Sequence, residues 1–368
     1  MKFFNKPKRV LINGDFLCRK ITGIERYAWE ITNRLDTLCD KDEIGIIVPH
    51  NAQAPPYKNL YILRHKKDLR SQLFWKMITL QFFLVTHRTW TVLDFGNTCL
   101  PLAPGISFLH DIHCRIMPKD FITTREKLIC LYSRFQYWLI SKHAKKIVTV
   151  SYFSRDQIAK TYGIPPEKIS VVYSSWNHFA FVTADYSILD ETPSLKNEFY
   201  FSLGTLIKRK NIAWIVEYAR KHKDTLFALS GSPLSKIKTG GDIDSPPANI
   251  IYLGYLNDGQ VKALMEKCKA FLLPSYYEGF GLTPLEALSC GAKIIVANAA
   301  SLPEIYGNTA HYIDPFNTDV DLDALMQEPI EEPSSILEKY SYGTSAKQVY
   351  DIIKNFTAGD WTTGGKAQ

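Results

Sequence analysis

The run Ala270-Phe271-Leu272-Leu273-Pro274-Ser275-Tyr276-Tyr277-Glu278-Gly279-Phe280-Gly281-Leu282-Thr283-Pro284-Leu285-Glu286-Ala287-Leu288-Ser289-Cys290-Gly291 reads as a strand, a glycine-laced loop and a helix. The apolar stretch Ala270 to Leu273 stops at a proline, as a buried strand does. Pro284 can start the helix and Gly291 can stop it. Such a unit makes an anion site, because unpaired backbone N–H groups and the positive end of the helix dipole converge on one spot. Two acids flank that spot: Glu278 before the loop and Glu286, read as lying in the first helical turn. A carboxylate would repel a phosphate, so both acids suit hydroxyl groups instead. Phosphate with polyol is the chemistry of a sugar nucleotide.

Outward from this segment the same alternation continues. Strands are expected at Phe199 to Leu203, Thr225 to Leu229, Ile250 to Leu253, Ile294 to Val296 and Ala310 to Ile313, with helices at Ile212 to Lys221 and Asp258 to Lys267. The first half repeats the pattern. Its strands are Arg9 to Asn13, Ile44 to Val48, Trp90 to Leu93, Ile106 to His110, Ile147 to Val150 and a run through Ile169 and Val172. Its helices are Ile24 to Leu38 and Phe153 to Tyr162, the latter capped by Ser151. Buried strands alternating with helices predict parallel sheets covered on both faces. The fold class is therefore α/β, two Rossmann-like doubly wound domains facing a cleft, with ligands at the carboxyl ends of the strands. Residues 1–175 form the expected acceptor-binding domain and 176–197 a linker. Residues 198–341 form the expected nucleotide-sugar domain, 342–356 a terminal helix, and 357–368 a flexible tail.

Composition agrees with two domains. At 368 residues with 46% hydrophobic content the chain exceeds one ordinary core. The seven cysteines are scattered without a C-x-x-C pair, which argues against a zinc site or disulfide framework. Met1-Lys2-Phe3-Phe4 leads directly into Asn5, Lys6 and Lys8, so no signal-peptide core is expected, and no long uncharged apolar run appears. The expectation is a cytoplasmic protein, with peripheral contact at the inner face of a membrane as an option.

Charge is uneven. Residues 1–175 hold 27 Lys and Arg against 14 Asp and Glu, a balance of +13 in a chain whose total is +7. No nucleic-acid-binding pattern accompanies it, so nucleic acid is not an expected partner. Two predicted helices mix basic and aromatic residues: Leu69 to Arg88, with Phe74, Trp75, Lys76, Phe82 and Phe83, and Glu126 to Lys146, with Tyr132, Arg134, Phe135, Tyr137, Trp138, Lys142, Lys145 and Lys146. They are either core-facing helices with solvated basic edges or a surface that docks on an anionic membrane.

Other positions carry chemistry. Lys208-Arg209-Lys210-Asn211 lies between a strand end and a helix start, where Arg209 and Lys210 can neutralise a diphosphate; a solvated basic turn is the alternative. Gly14 follows the first strand, and Gly23 precedes a helix where backbone can approach a phosphate or sugar. His110-Asp111-Ile112-His113 ends a strand, so His110 can donate to a sugar hydroxyl in a cleft or sit satisfied in the core. A metal cluster of His110, Asp111 and His113 lacks further spaced ligands. Asp242-Ile243-Asp244 and Asp321-Leu322-Asp323 match a D-x-D metal pattern but follow no buried strand, and read as solvated acids.

Taken together the chain resembles the family-4 retaining glycosyltransferases of GT-B architecture, from about residue 8 to residue 356, in a mannosyl- or rhamnosyltransferase-like branch. The resemblance rests on the E-x7-E pair Glu278 and Glu286. It is supported by Thr22-Gly23-Ile24-Glu25-Arg26-Tyr27, His110-Asp111, Val150-Ser151-Tyr152-Phe153-Ser154, Gly163-Ile164-Pro165-Pro166, Arg209-Lys210-Asn211 and Leu302-Pro303-Glu304. It implies that Glu278 holds donor-sugar hydroxyls and Glu286 the ribose. It also implies that Gly279, Phe280, Gly281 and Leu282 cradle phosphate or sugar, Arg209 and Lys210 stabilise the departing diphosphate, and His110 touches the donor sugar. Gly23 would lie at the donor–acceptor junction, with Gly14 and Asp111 on the acceptor side. Where many members carry arginine after the glycine that opens the second domain, this chain has Thr205.

The implied reaction is retaining transfer of a hexosyl unit, mannose or rhamnose as first guesses, from a nucleoside-diphosphate sugar to a saccharide acceptor, expected to be lipid-linked. No metal and no other cofactor is implied. The alternatives are a nucleotide-sugar epimerase of the same architecture and a non-catalytic sugar-nucleotide-binding protein.

Overall fold

The computed structural model describes residues 9–204, 207–231 and 247–358. The chain divides into two compact units, one comprising residues up to Ser174 together with those from Tyr342 onward, the other Ser175–Ser341.

In the first unit seven parallel strands, β1 (Arg9–Asn13), β2 (Ile44–Val48), β3 (Tyr61–Arg64), β4 (Trp90–Asp94), β5 (Ile106–Phe108), β6 (Lys146–Thr149) and β7 (Ile169–Val171), lie in the order β3-β2-β1-β4-β5-β6-β7. The order reverses direction between β1 and β4, which makes their carboxyl ends the switch point of the sheet. Val10, Leu11 and Ile12 are fully buried at the centre. β3 escaped the sequence reading, because four half-exposed edge residues carry little periodic signal. β5 stops at Phe108, which leaves Leu109 and His110 in the loop beyond it.

Helix α1 (Gly23–Leu38) opens with a capping box: Glu25 accepts the Thr22 backbone N–H at 3.2 Å. Residues 72–86 form α2 (Gln72–Phe74), a π-helical segment (Trp75–Leu80) and α3 (Gln81–Thr86) without a break. Helix α4 (Thr124–His143) has its own capping box from Thr123 and Glu126. Helix α5 (Tyr152–Tyr162) begins at the Ser151 cap and ends at Gly163, whose φ of 64° suits a residue without Cβ.

The second unit has six parallel strands, β8 (Tyr200–Leu203), β9 (Phe227–Ser230), β10 (Ile250–Gly254), β11 (Ala270–Leu273), β12 (Ile294–Ala297) and β13 (His311–Ile313), ordered β10-β9-β8-β11-β12-β13. Its switch point lies between β8 and β11. Helices α6 (Ile212–Lys221) and α7 (Asp258–Lys267) cover the sheet, with Trp214, Tyr218 and Phe227 in the core. Helix α8 (Leu282–Ser289) follows β11.

Residues 176–197, read as a linker, belong to the second unit together with Ser175. Ser175 Oγ donates to the Tyr340 carbonyl at 2.6 Å, Trp176 Nε1 to Leu337 at 3.0 Å, and Lys262 Nζ to Val182 at 2.8 Å. Short helices occupy Ser187–Glu191 and Pro193–Lys196. Helix α9 (Tyr342–Ala358) belongs to the first unit. Its Ser345 donates to the Tyr173 carbonyl at 2.8 Å, and Lys354 pairs with Glu43 at 3.0 Å.

Candidate active site

The second unit gathers its candidate residues at the β8/β11 switch point. After β8 the chain makes a 3-10 turn, Lys208–Lys210, closed by Asn211 in the left-handed region at φ 57°, a conformation asparagine tolerates better than most residues. Asn211 Nδ2 donates to the Pro274 carbonyl at 3.1 Å and to Pro315 at 2.7 Å, and the Tyr276 N–H reaches the Arg209 carbonyl at 3.2 Å. The basic turn is thus sewn to the loop that carries Glu278.

Glu278 is buried and ion-paired twice, to Arg209 at 2.5 Å and to Lys210 at 2.8 Å. Arg209 also donates to the Tyr277 carbonyl at 2.9 Å. Burial alone would raise the Glu278 pKa; the two cations outweigh it and hold the carboxyl at about 2, against an ordinary 4.5. The group is a fixed anion throughout the neutral range. Arg209 and Lys210 keep 18% and 14% of their side-chain surface open, and Lys208 is exposed on the same turn.

The glycine loop then turns sharply. Gly281 has φ 82°, and a Cβ there would meet Leu302 Cδ2 at 2.5 Å, so only glycine fits. Tyr306 donates its hydroxyl to the Gly281 carbonyl and Ser301 its hydroxyl to the Glu278 carbonyl, at 3.0 Å in the second case. Phe280 packs edge-on against Tyr340 at 5.4 Å. Helix α8 starts at Leu282, two residues before Pro284, which corrects the expected helix start. A proline is tolerated as the third residue because the first four N–H groups have no intrahelical partner to lose. Glu286 is accordingly the fifth helical residue, two residues deeper than a start at Pro284 would place it. It is buried and takes His178 Nε2 at 3.1 Å on one carboxylate oxygen. The hydroxyls of Ser275 and Thr283, on either side of the loop, are buried with no hydrogen-bond partner in the protein.

In the first unit Gly14 follows β1 so closely that a Cβ would lie 2.8 Å from Val48 Cγ1 and 2.9 Å from the Ile47 carbonyl oxygen. Gly23 opens α1 with nothing within 4 Å of where a Cβ would stand. His110 is buried against Tyr27, rings edge to face at 5.5 Å, and its Nε2 bonds the Phe95 carbonyl at 2.8 Å. A carbonyl only accepts, so Nε2 carries the proton. Burial lowers the His110 pKa below its usual 6.5, so the ring is neutral at pH 7 and Nδ1 is an acceptor. The expected donor to a sugar hydroxyl is therefore spent on backbone; Nδ1 can only receive.

Asp111 Oδ1 accepts from the His113 N–H at 3.0 Å, and His113 Nε2 turns to Asp120 at 2.9 Å. These three residues do not converge on one point. Among the described residues no group of three or more His, Cys, Asp or Glu side chains is placed to hold a metal ion. Asp321 caps the helix Leu322–Leu325, and Asp323 bonds Lys269 at 2.8 Å and Tyr200 at 2.7 Å, while both acids stay exposed to solvent, so this D-x-D match is a surface pair, as expected. Asp242, Asp244 and Thr205 lie outside the described residues.

Sequence reasoning missed a second charged cluster, at the β1/β4 switch point. Lys76, 3% exposed, lies 3.1 Å from Asp94 and 3.7 Å from Asp15, and donates to Thr98 at 3.1 Å. Asn13 Nδ2 bridges to Asp94 at 2.7 Å, while Trp75 Nε1 donates to Asn13 Oδ1 at 2.9 Å. The available signal was Asp94 itself, a charge closing an otherwise apolar strand. Lys76 lies neither on a solvated basic edge nor on an exposed surface; the structure buries it.

Comparison with known proteins bears on this arrangement directly. The description "Glycosyltransferase Family 4" matches residues 21–175, and "Glycosyl transferases group 1" matches residues 189–342. This chain is a family-4 glycosyltransferase. It is 26% identical over 332 residues to O-antigen chain mannosyltransferase B of Escherichia coli, covering 81% of this chain and 84% of that one. It is 29% identical over 212 residues to the O-antigen chain mannosyltransferase RfbU of Salmonella typhimurium, 56% of each chain. Among solved structures, sucrose-phosphate synthase from Thermosynechococcus elongatus superposes with a TM-score of 0.69 at 11% identity, covering 96% of this chain and all of that one. HepE of Anabaena, in complex with UDP and glucose, gives 0.64 at 14%, covering 95% and 100%. At such identities these structures speak for the shared GT-B fold of two Rossmann-like units. The family-4 chain is an enzyme, a hexosyltransferase.

Proposed function

We propose that this glycosyltransferase moves a mannosyl unit from a nucleoside-diphosphate sugar to a saccharide on a lipid carrier, during assembly of a surface polysaccharide. The transfer retains the anomeric configuration and needs no metal or other cofactor. The observation that carries the donor reading is Glu278, an anion buried between Arg209 and Lys210 beside a glycine loop and a helix N-terminus. The names of the O-antigen mannosyltransferases support the sugar and the pathway.

Glu278 accepts hydroxyls of the donor sugar, and the Glu286 oxygen left open by His178 accepts from the ribose. Arg209 and Lys210 serve Glu278 and the diphosphate together, since guanidinium has five N–H donors and ammonium three. As the glycosidic C–O bond breaks, charge grows on the diphosphate, and both cations and the N–H groups at Leu282 and Thr283 offset it. The acceptor hydroxyl attacks from the face the diphosphate leaves, and a β-phosphate oxygen takes its proton. In the first unit His110 receives a sugar hydroxyl at Nδ1, and the Gly14 and Gly23 backbone borders the acceptor. The basic, aromatic segments at residues 69–88 and 126–146 hold the enzyme peripherally on an anionic membrane, the cytoplasmic face in our reading.

The test combines GDP-mannose with a lipid-linked saccharide acceptor. Glu278→Ala is expected to lose transfer while still folding cooperatively, with a thermal midpoint lowered by the loss of its two ion pairs, and the wild-type product to show the donor's anomeric configuration by NMR. Wild-type turnover by Glu278→Ala would overturn the reading, and activity lost to EDTA and restored by metal would overturn metal independence. Labelled donor without acceptor separates transfer from epimerisation.

A further inference from the structure

Two helical segments of the first unit turn apolar side chains outward. Along residues 72–86, Trp75, Thr79, Leu80 and Leu84 point inward, which leaves Phe74, Ile78 and Phe82, four residues apart, on the exposed side. Along α4, Cys130, Tyr137 and Ile140 are buried, while Leu128, Leu131, Phe135 and Trp138 are exposed. The segments lie side by side. Gln136 Nε2 meets Met77 Sδ at 3.8 Å, Gln136 Oε1 takes the Cys99 N–H at 3.2 Å, and Gln81 takes the Leu102 N–H at 3.0 Å. Phe82 and Leu102, 71% and 72% exposed, mark one end of this face. Exposed apolar side chains grouped on one face of a protein mark an interaction surface.

At that end, at the amino-terminal edge of β4, the structure has a cavity of about 250 Å³. Its lining mixes polar surface with apolar side chains from Leu84, Val85, Trp90 and Leu102, and its two charged lining residues are both cations, Arg88 and Lys145. Arg9 lies over the Trp90 ring at 6.0 Å and adds a third positive charge beside it. The cavity is amphipathic in the sense that suits a lipid: cations and apolar side chains in one recess, with exposed Leu102 in its lining. A second copy of this chain would bring another strongly basic face, so charge favours an anionic bilayer as the occupant.

We propose that this cavity binds the phosphate headgroup of an anionic phospholipid through Arg88 and Lys145, while Phe82, Leu102 and the α4 face rest in the acyl boundary. The site stands apart from the candidate active site and rests on the peripheral membrane contact proposed above. Flotation with vesicles of phosphatidylcholine alone or containing phosphatidylglycerol tests it on the full chain. Wild type is expected to float only with phosphatidylglycerol. Arg88→Gln with Lys145→Gln is expected to weaken partitioning by clearly more than about thirtyfold, the loss that ~1 kcal/mol for each basic group near the surface gives without a site. Arg125→Gln with Lys127→Gln, the same charge change on exposed residues outside the cavity, is expected to have a clearly smaller effect. Equal losses in the two pairs would overturn the headgroup site and leave membrane docking standing. A wild type that floats with neither vesicle would overturn both, and concentration-dependent dimerisation abolished by Phe82→Ser would assign the face to a second copy instead. Circular dichroism on each variant ensures that a loss reflects binding and not folding.

Discussion

The two units each place a charged cluster at the switch point of a parallel sheet, and the clusters are opposite in kind. At β8/β11 one acid, Glu278, sits between two cations that keep part of their surface open. At β1/β4 one cation, Lys76, sits between two acids, and all three are sealed, with Asp94 1% exposed. An excess of reachable positive charge can still engage an anionic ligand. A closed lysine between carboxylates has spent its charge inside the protein. The same position in the same topology therefore serves binding in one unit and cohesion in the other.

Removing the central charge of the sealed cluster should have the largest effect on stability. Lys76→Met leaves Asp15 and Asp94 facing each other in the interior, and the expected cost is about 3–5 kcal/mol. It is read as a fall in the urea midpoint, with turnover per folded molecule preserved. An unchanged midpoint would erase the distinction between the clusters.

Lys210→Met in the open cluster should do the reverse. It is expected to lower kcat about 10²–10³-fold, the usual cost of losing one preorganised charge donor, with a smaller fall in thermal midpoint than Lys76→Met because Arg209 still pairs with Glu278. If stability falls and kcat holds, the basic turn is scaffolding. Gly281→Ala sharpens the geometry of the same site. The left-handed backbone and the Leu302 contact predict a loss of about 1–3 kcal/mol in stability, together with a raised donor KM.

The smallest effect near neutrality is the pH response. Glu278 has its pKa depressed from 4.5 to about 2, so its pairing stabilises the fold fully above pH 4.5 and is lost as pH falls toward 2. Glu278→Gln should flatten that acid limb of the thermal midpoint. An identical acid limb in wild type and variant would mean that the pairing contributes nothing to stability.

The site in the second unit was legible because its parts are nearly contiguous. The 274–291 run has strand, loop and helix in one stretch, and Arg209-Lys210-Asn211 follows a strand that any reading of apolar runs finds. The sealed cluster was not legible. Asn13, Asp15, Lys76, Asp94 and Thr98 come from separate segments, and a lysine in an aromatic helix looks the same in sequence whether it faces water or an aspartate. His178 shows the same limit, since 108 residues of chain separate it from Glu286, which it holds.

Local chemistry along the chain determined the alternating elements, the two parallel-sheet units and the E-x7-E loop, because apolar periodicity, proline and glycine act over a few residues. Tertiary structure alone decided which charges are open and which are sealed. It also decided that His110 is an acceptor, that Glu286 has a histidine partner, and that the aromatic helices turn Phe82 and Trp138 outward. Each of these depends on what a distant segment brings to the same point, and burial and hydrogen bonding are properties of that point rather than of the residue.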